Sequence, residues 1–376
     1  MKEIKKSKIL FILNTDKFLL SHRIDIAKEL IKKNHEVHLG SAITGASKKI
    51  SKLGIITHPI KINRSNIGLI GLFKTGLSIY QLIQDINPDI VHFISIKPVI
   101  LGCIATKFYR KRLNIVASIS GLGFIFVDKG LIGNFRRIIT CILYKVSLSN
   151  RNIKVIFQNN TDKNFINKIC NLSPEQSILI NGSGVDLKKF QPKKELNYKK
   201  VVLMPARIVE SKGINEFIKS AEKLKGLAKF IICGDFDYEA KDFIKKDVIE
   251  YWVRKSVIEY IGFKENMEKI LTQASIIVLP SYREGLPKVL CEAAACGIPV
   301  ITTNVPGCRD AIIEYKTGLL VPKKEFISLS FAIQYLINNP KRMKMMGKQG
   351  RLLAINKFDI NKIVANHIEI YEKLLS

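Results

Sequence analysis

The sequence predicts an α/β protein built from two doubly wound lobes of similar size. Two series of short apolar runs, separated by amphipathic windows, alternate along the 376 residues, and such alternation is typical of parallel sheets covered by helices. A polar stretch at 181–200, with two glycines and one proline, interrupts the periodicity between the two series. Hydrophobic residues make up 47% of the chain, which is enough for two cores.

We therefore assign residues 1–190 to a first lobe, 191–355 to a second lobe, and 356–376 to a C-terminal helix that crosses back to the first. The predicted strands of the first lobe are Lys8–Asn14, His35–Gly40, Ile55–Ile60, Ile90–Phe93, Ile115–Ser120 and Val155–Gln158. Its predicted helices cover about 21–33, 67–86, 98–111, 134–149 and 161–171.

The second lobe repeats the same pattern. Its predicted strands are Val201–Pro205, Phe230–Cys233, Val257–Tyr260, Ile276–Pro280 and Val300–Thr303, with helices between them and a last helix over Ile360–Leu375. Ligands bind at the carboxyl ends of parallel strands. We therefore expect these ends in both lobes to face a shared cleft.

Composition limits the classes of function. The N-terminus has no signal-peptide pattern, and no run reaches the roughly 18 apolar residues of a spanning helix, so we expect a cytoplasmic protein. The seven cysteines have no zinc-site spacing. The net charge of +29, of which +19 falls within residues 1–190, favours an anionic partner: nucleic acid, anionic lipid or a phosphorylated substrate. A proteome biased towards lysine is the alternative.

The most informative segment is 276–310. After the strand that ends at Pro280 comes the loop Glu284-Gly285-Leu286, and then a helix that Pro287 begins and Gly297 ends. Such a helix N-terminus is a site for a diphosphate. Glu292, in the second helical turn, can accept hydrogen bonds from ribose hydroxyls, and Glu284 can meet sugar hydroxyls. Alternatively, Glu284 offsets the helix dipole and Glu292 pairs with a surface lysine.

This segment resembles the donor-binding signature of retaining glycosyltransferase family 4. The residues that carry the resemblance are EGLPKVLCE at 284–292, the following AAACGIPVITTNVPGCRDAI, and TGLLVP at 317–322. The family's two glutamates, separated by seven residues, match Glu284 and Glu292. The resemblance also implies that the backbone amides of Gly285 and Leu286, together with Glu284, position the donor sugar. The resemblance implies the two-lobed GT-B fold, a donor that is usually UDP-linked, transfer with retention, and no metal or other cofactor.

Cations follow the first strand of the second lobe. Arg207 and Lys212 can clamp a diphosphate and stabilise the charge that grows on it as the glycosidic bond breaks, and the family has an arginine and a lysine there. Two solvated surface charges are the alternative. Gly234 fits a tight turn near the nucleotide. Asp235 and Asp237 imitate a metal-binding motif, but the fold that the resemblance implies does not use one.

The first lobe is expected to bind the acceptor. No GxGxxG follows its strands, which argues against a nicotinamide cofactor. In a branch of the resembling family, residues in the position of His22 and Arg23 lie near the cleft, where the histidine can orient an acceptor or a loop and the arginine can bind an acceptor phosphate. Alternatively, Ser21 caps a helix and Arg23 is solvated. Ser120 and Gly121 follow another strand. Many family members have histidine near Ser120, so a histidine-assisted mechanism is in doubt here.

Two further features concern the acceptor. The segment Leu122-Gly123-Phe124 resembles bacterial enzymes that extend lipid-linked saccharides, and His92 lines either the cleft or the core. Residues 129–154 include no acidic residue and six cations, at 129, 136, 137, 145, 151 and 154. They predict either a basic amphipathic helix on an anionic membrane surface or an ordinary helix with its apolar face in the core.

We therefore predict a cytoplasmic, peripherally membrane-associated hexosyltransferase that uses a UDP-sugar donor and a polyprenyl-diphosphate-linked saccharide acceptor in bacterial surface-glycan assembly. A sugar-nucleotide epimerase of the same fold is one alternative, although no first-lobe carboxylate is obviously placed for it. A nucleic-acid-binding protein is the other. It would need exposed aromatics among basic residues or a helix-turn-helix, and neither is evident, so we expect no nucleic-acid partner.

Overall fold

The computed structural model describes residues 6–62, 68–123, 130–150, 152–193 and 200–376. The chain forms two compact units: unit 1 comprises Met1–Ser183 with Asn361–Ser376, and unit 2 comprises Gly184–Ile360. The change from unit 1 to unit 2 comes seven residues before the predicted boundary at 190. The C-terminal segment that belongs to unit 1 begins at 361, whereas the sequence suggested 356.

Unit 1 contains one parallel sheet. Its strands are β1 Lys8–Thr15, β2 Glu36–Ala42, β3 Ile56–Pro59, β4 Ile90–Ile94, β5 Asn114–Ile119, β6 Ile153–Phe157 and β7 Ser177–Leu179. Their order across the sheet is β3-β2-β1-β4-β5-β6-β7. Successive residues of β1 enter different cores: Leu10 and Ile12 join one cluster, and Ile9 and Phe11 join another. The sheet is therefore buried on both faces, which explains its continuous apolar runs.

Helices cover both faces of this sheet. The first seven are α1 Asp16–His22, α2 Ile24–Lys32, α3 Ser47–Ser51, α4 Leu69–Ile86, α5 Ile96–Thr106, α6 Leu131–Ser147 and α7 Asn160–Cys170. Helices α4 to α7 pack on the Leu10 face, and α1 to α3 pack on the Phe11 face. Local signals set the bounds of α7: the Asn159 side chain accepts the amide proton of Asp162 at 2.8 Å, and Asn171 ends the helix in the left-handed conformation.

Unit 2 repeats this architecture around a second parallel sheet. Its strands are β8 Val201–Pro205, β9 Lys229–Cys233, β10 Glu259–Tyr260, β11 Ile276–Leu279, β12 Val300–Thr303 and β13 Gly318–Val321, in the order β10-β9-β8-β11-β12-β13. The remaining helices are α8 Ile214–Lys223, α9 Lys246–Arg254, α10 Met267–Leu271, α11 Lys288–Ala295, α12 Phe326–Asn338, α13 Pro340–Leu353 and α14 Ile360–Leu375. The last, α14, packs on the Phe11 face of unit 1.

The structure corrects some predicted elements. The single helix expected over 21–33 is two helices, α1 and α2, with a break at Arg23, whose φ is −138°. No loop precedes α1, because the Asp16 carboxylate accepts the amide protons of Thr44 and Ala46 and fixes the chain at the end of β1. The strand predicted over 257–260 is reduced to β10, and the short edge strands β7 and β13 were not predicted. β10 and β7, with two and three residues, are too short to display a periodicity.

Within the described ranges, none of the helices combines the length and the apolar character that crossing a bilayer requires.

Candidate active site

Two loops of unit 2 meet at the carboxyl end of its sheet. One follows β8 and the other follows β11, and these strands are neighbours in the sheet. Lys212, in a 3₁₀ turn, forms an ion pair with Glu284 from the second loop. Both side chains are largely buried. The structure therefore brings together two residues that the sequence separates by 72 positions, both of them predicted to be catalytic.

Close backbone packing holds these loops in place. Gly213 adopts φ +81°, and a Cβ there would lie 2.4 Å from the carbonyl oxygen of Pro280. The Tyr282 amide donates to the Ser211 carbonyl oxygen at 2.9 Å, and the Tyr282 hydroxyl donates to Glu216 at 2.8 Å. Only glycine fits at position 213, since any side chain would separate the two loops.

A third loop, after β12, packs against the backbone of the Glu284 segment. Gly307 adopts φ +81°, and a Cβ there would lie 2.5 Å from the Glu284 carbonyl oxygen. Next to it, burial and the Glu284 carboxylate raise the pKa of the Cys308 thiol to about 12. Sequence reasoning missed Gly307 as a site residue, although the Pro306-Gly307 pair after a strand is a recognisable turn signal.

Arg207 also lies in this region of unit 2, in the segment after β8. Its guanidinium is about half exposed and forms an ion pair with Asp237. The predicted donor-binding residue Gly234 is packed against the same segment, because a Cβ there would lie 1.8 Å from the Ala206 carbonyl oxygen. The second aspartate of the apparent metal-binding motif is thus the partner of Arg207. Among the described residues, no three histidine, cysteine, aspartate or glutamate side chains gather as metal ligands would.

Helix α11 presents the second glutamate of the pattern. Glu292 is 8% exposed, and its carboxylate lies 3.7 Å from the Lys288 ammonium, one turn earlier. Burial raises the pKa of Glu292, and the nearby lysines oppose this only in part. The predicted donor-binding residue Leu286 packs its side chain into the core, so only its backbone amide is available for the contact with sugar that we predicted. Pro287 is the N-cap of α11 rather than its first residue.

The first-lobe candidates His22 and Arg23 differ in environment. His22 ends α1, where its ring stacks on Phe18 at 4.2 Å between centroids. Arg23 is 2% exposed and donates to the Ser183 hydroxyl and the His22 carbonyl oxygen, each at 3.0 Å. Burial lowers the pKa of Arg23 to about 10. The alternative of a capped helix start with a solvated Arg23 is wrong, because Ser21 lies inside α1 and its hydroxyl donates to the Lys17 carbonyl oxygen. The expected surface contact of Arg23 with an acceptor phosphate is equally at odds with this burial.

His92 belongs to the core. Its Nδ1 lies 2.6 Å from the Tyr371 hydroxyl, and its Nε2 lies 2.6 Å from the Ser118 hydroxyl. The ring is fully buried, so of the two predicted environments the core is confirmed.

Ser120 and Gly121 follow β5 at the carboxyl edge of the unit 1 sheet. The Ser120 hydroxyl oxygen is buried and has no hydrogen-bond partner among the described residues, and Gly121 adopts φ +120°. A buried hydroxyl that lacks a partner at the ligand-binding edge of a parallel sheet is consistent with a polar ligand there. In the neighbouring Leu122-Gly123-Phe124 segment, Phe124 lies outside the described residues.

Comparison with known proteins shows which families the two units match. Residues 186–353 match the family described as "Glycosyl transferases group 1", and residues 8–160 match "Glycosyl transferase 4-like". The chain is 26% identical over 366 residues, 94% of its length and 95% of the relative's, to N,N'-diacetylbacillosaminyl-diphospho-undecaprenol alpha-1,3-N-acetylgalactosaminyltransferase of Campylobacter jejuni subsp. jejuni serotype O:2.

Solved structures share the fold. Sucrose-phosphate synthase from Thermosynechococcus elongatus has a TM-score of 0.82 at 19% identity, with 98% of this chain and 99% of that chain covered. Anabaena Alr3699/HepE in complex with UDP has a TM-score of 0.77 at 17% identity, with 97% and 100% covered. With one family matched in each unit, the chain belongs to the group 1, family 4-like glycosyltransferases, and it is a hexosyltransferase with the GT-B fold.

Proposed function

We propose that the enzyme transfers a hexose or N-acetylhexosamine from a UDP-sugar, with retention, to a polyprenyl-diphosphate-linked saccharide in bacterial surface-glycan assembly. The observation that carries the proposal is the meeting of Lys212 and Glu284 at the carboxyl end of the unit 2 sheet, with Arg207 following the same strand. This arrangement offers cations for a diphosphate and a carboxylate for sugar hydroxyls.

The bond changes follow from these roles. The bond between the sugar C1 and the UDP oxygen breaks, and UDP leaves with the electron pair. The acceptor hydroxyl oxygen bonds to C1 on the same face, and its proton passes to the departing phosphate. Arg207 and Lys212 stabilise the charge that develops on the diphosphate, so the protein needs neither a dedicated base nor a metal. Glu284 and the amides of Gly285 and Leu286 position the sugar, and Glu292 holds the ribose.

Two comparisons support the choice of substrates. The Campylobacter relative is named for an undecaprenol-diphosphate-linked acceptor, and Alr3699/HepE was solved in complex with UDP. In unit 1, Ser120, Gly121 and His22 are our candidates for contacts with the acceptor. Because a polyprenyl tail resides in a bilayer, we further propose that the enzyme works peripherally on the cytoplasmic face of the inner membrane.

A panel of UDP-sugars, assayed with an undecaprenyl-diphosphate-linked saccharide, tests the proposal. We expect one UDP-sugar to give a lengthened lipid-linked product with retained anomeric configuration, also in the presence of EDTA. UDP is expected to raise the melting temperature, whereas NAD and an oligonucleotide are not. Conversion of the UDP-sugar to its epimer without an acceptor would instead favour the epimerase, and stabilisation by the oligonucleotide alone would favour a nucleic-acid-binding protein.

A further inference from the structure

Helix α6 has its apolar face towards solvent. The residues that α6 buries are one glycine and three residues with a hydroxyl group: Gly133, Thr140, Tyr144 and Ser147. Most of its large apolar side chains are exposed instead, at Leu131, Ile132, Phe135, Ile138, Ile139, Ile142 and Val146, whereas Leu143 is half-buried against the core. Leu131 is 90% exposed. A helix of a globular unit normally buries its apolar stripe, so the ordinary core-facing helix that the sequence also allowed is wrong.

Helix α4 has a similar exposed stripe in its first half. Leu69, Phe73 and Leu77 follow one another at intervals of four residues, which places them on one face, and all three are exposed, as is Ile70. Leu69 is 85% exposed. The second half of α4 buries its apolar residues in the usual way, so only the N-terminal half is without a covering partner among the described residues.

The two stripes lie on the same side of unit 1. Both α4 and α6 pack against α5, and all three contribute to the core cluster on the Leu10 face of the sheet. A helix that connects two parallel strands runs back along the sheet, so its N-terminus lies at the carboxyl edge of the strands. The N-terminal halves of α4 and α6 are therefore at the same edge as Ser120 and Gly121, our candidate acceptor contacts.

The charges beside the stripes are positive. Helix α6 carries Arg136, Arg137 and Lys145 and no acidic residue, and α4 carries Lys74 in its first half and an acidic residue only at Asp85, in its last turn. An apolar stripe with flanking cations is typical of a helix that lies in the interface of an anionic bilayer. Two copies of this surface against each other would bring like charges together.

We propose that α4 and α6 form one docking surface for an anionic lipid bilayer, with the apolar stripes inserted among the headgroups and the cations on the lipid phosphates. This inference rests on the proposed function, since it places the acceptor edge of unit 1 at the bilayer in which a lipid-linked saccharide resides.

Co-sedimentation with vesicles tests the docking surface. Wild type is expected to bind vesicles of phosphatidylethanolamine and phosphatidylglycerol, and to bind phosphatidylcholine vesicles much less. Three double variants, Leu69→Gln/Phe73→Gln, Phe135→Gln/Ile138→Gln and Arg136→Glu/Arg137→Glu, are each expected to weaken binding by about tenfold or more. Phe331→Gln/Tyr335→Gln on α12 is the matched control, because Phe331 is 60% exposed and Phe135 is 64% exposed. It should bind as wild type does.

Melting temperature, UDP binding, oligomeric state and sugar transfer distinguish loss of docking from misfolding, dimerisation and loss of activity. Unchanged melting temperature and UDP binding in each variant exclude misfolding as the cause of lost vesicle binding. Wild-type vesicle binding by all three α4 and α6 variants would overturn the docking surface. So would a lipid-free dimer that the same variants convert to monomers, because the stripes would then face a second copy.

Absence of vesicle binding together with transfer to a short-chain lipid-diphosphate acceptor would overturn docking alone. Vesicle binding without transfer from any UDP-sugar would overturn the proposed function alone.

Discussion

Three ion pairs hold the charged side chains of the candidate donor site. Lys212 pairs with Glu284, Arg207 with Asp237, and Lys288 with Glu292. To bind these cations, a donor diphosphate would therefore have to displace the Asp237 carboxylate from Arg207 and the Glu284 carboxylate from Lys212. Arg207 is about half exposed, so solvent screens part of its attraction to Asp237.

We expect Glu292 to lower the stability of the folded protein while it contributes to nucleotide binding. Burial raises its pKa in the folded state, so above that pKa the folded protein carries a desolvated charge that the unfolded chain solvates, and the cost disappears as the pH falls. Glu292→Gln should therefore raise the melting temperature at neutral pH. It should also weaken UDP binding by about tenfold to a hundredfold, because a hydrogen bond to a charged group contributes about 1.5–3 kcal/mol.

Calorimetric titration with UDP and thermal unfolding measure both effects. Glu250→Gln is the control, because Glu250 forms the same i,i+4 pair with Lys246 on α9 but its side chain is about half exposed. It should alter neither quantity. Unchanged UDP affinity in Glu292→Gln would remove Glu292 from the donor site.

At this scale, the sequence locates residues but not their partners. The spacing of Glu284 and Glu292 follows from one strand, loop and helix, and is therefore local information. The pairing of Arg207 with Asp237 and the burial of Arg23 against Ser183 join residues 30 and 160 positions apart. No periodicity within a short window reports such contacts.

At the scale of elements, the loop after β12 is expected to control the Glu284 loop through Gly307. Gly307→Ala should lower kcat/KM by about tenfold or more, because its Cβ would collide with the Glu284 backbone and would also strain a positive φ. Gly226→Ala carries the same strain, at φ +85°, but its Cβ would meet nothing within 4 Å. Steady-state kinetics on both variants separate strain from collision, and equal losses of activity would contradict the contact.

Helix α14 is expected to make the stability of unit 1 sensitive to acid. Burial lowers the pKa of His367 to about 3 and that of His92 well below its usual range, and the Arg23 guanidinium adds to both effects. Both rings therefore stay neutral in the folded state, while in the unfolded chain they take up protons below about pH 6.5. Each contributes a loss of up to about 1.4 kcal/mol per pH unit as the pH falls below about 6.5. For His367 this loss continues until the pH reaches about 3.

Urea unfolding of unit 1 between about pH 7.5 and 5 should display this loss, and His367→Gln should reduce its slope. Since burial also lowers the pKa of His35 and His58, some slope should remain in the variant. A free energy of unfolding that does not change over this range would contradict the assignment.

The sequence predicts the helices and strands best where an apolar pattern extends over many residues. The alternation of strands and helices predicts both sheets, because buried parallel strands are continuous apolar runs. The face that α6 buries could not be predicted, because an apolar stripe indicates a face but not what covers it. The break at Arg23 accompanies its hydrogen bond with Ser183, and the start of α1 at Asp16 accompanies the hydrogen bond from Thr44; both contacts lie outside any local window.

At the scale of the whole molecule, each unit has its own sheet and cores, and each contributes a different part of the proposed reaction. Unit 2 carries the candidate donor site, whereas unit 1 carries the acceptor candidates and the docking surface. The positive charge is greatest in residues 1–190, which contain α4 and α6. This distribution agrees with a first unit that faces anionic lipid.

The proposed sugar transfer depends on Arg207, Lys212 and Glu284 acting on the donor diphosphate and its sugar. The most direct test is the rate of sugar transfer from the UDP-sugar to an undecaprenyl-diphosphate-linked saccharide, measured for wild type, Arg207→Ala and the exposed control Arg254→Ala. We expect Arg207→Ala to lower kcat by about 10²–10³, the usual effect of removing one group that stabilises developing charge, and Arg254→Ala to leave it unchanged. An Arg207→Ala enzyme as active as wild type would contradict the assignment of this site.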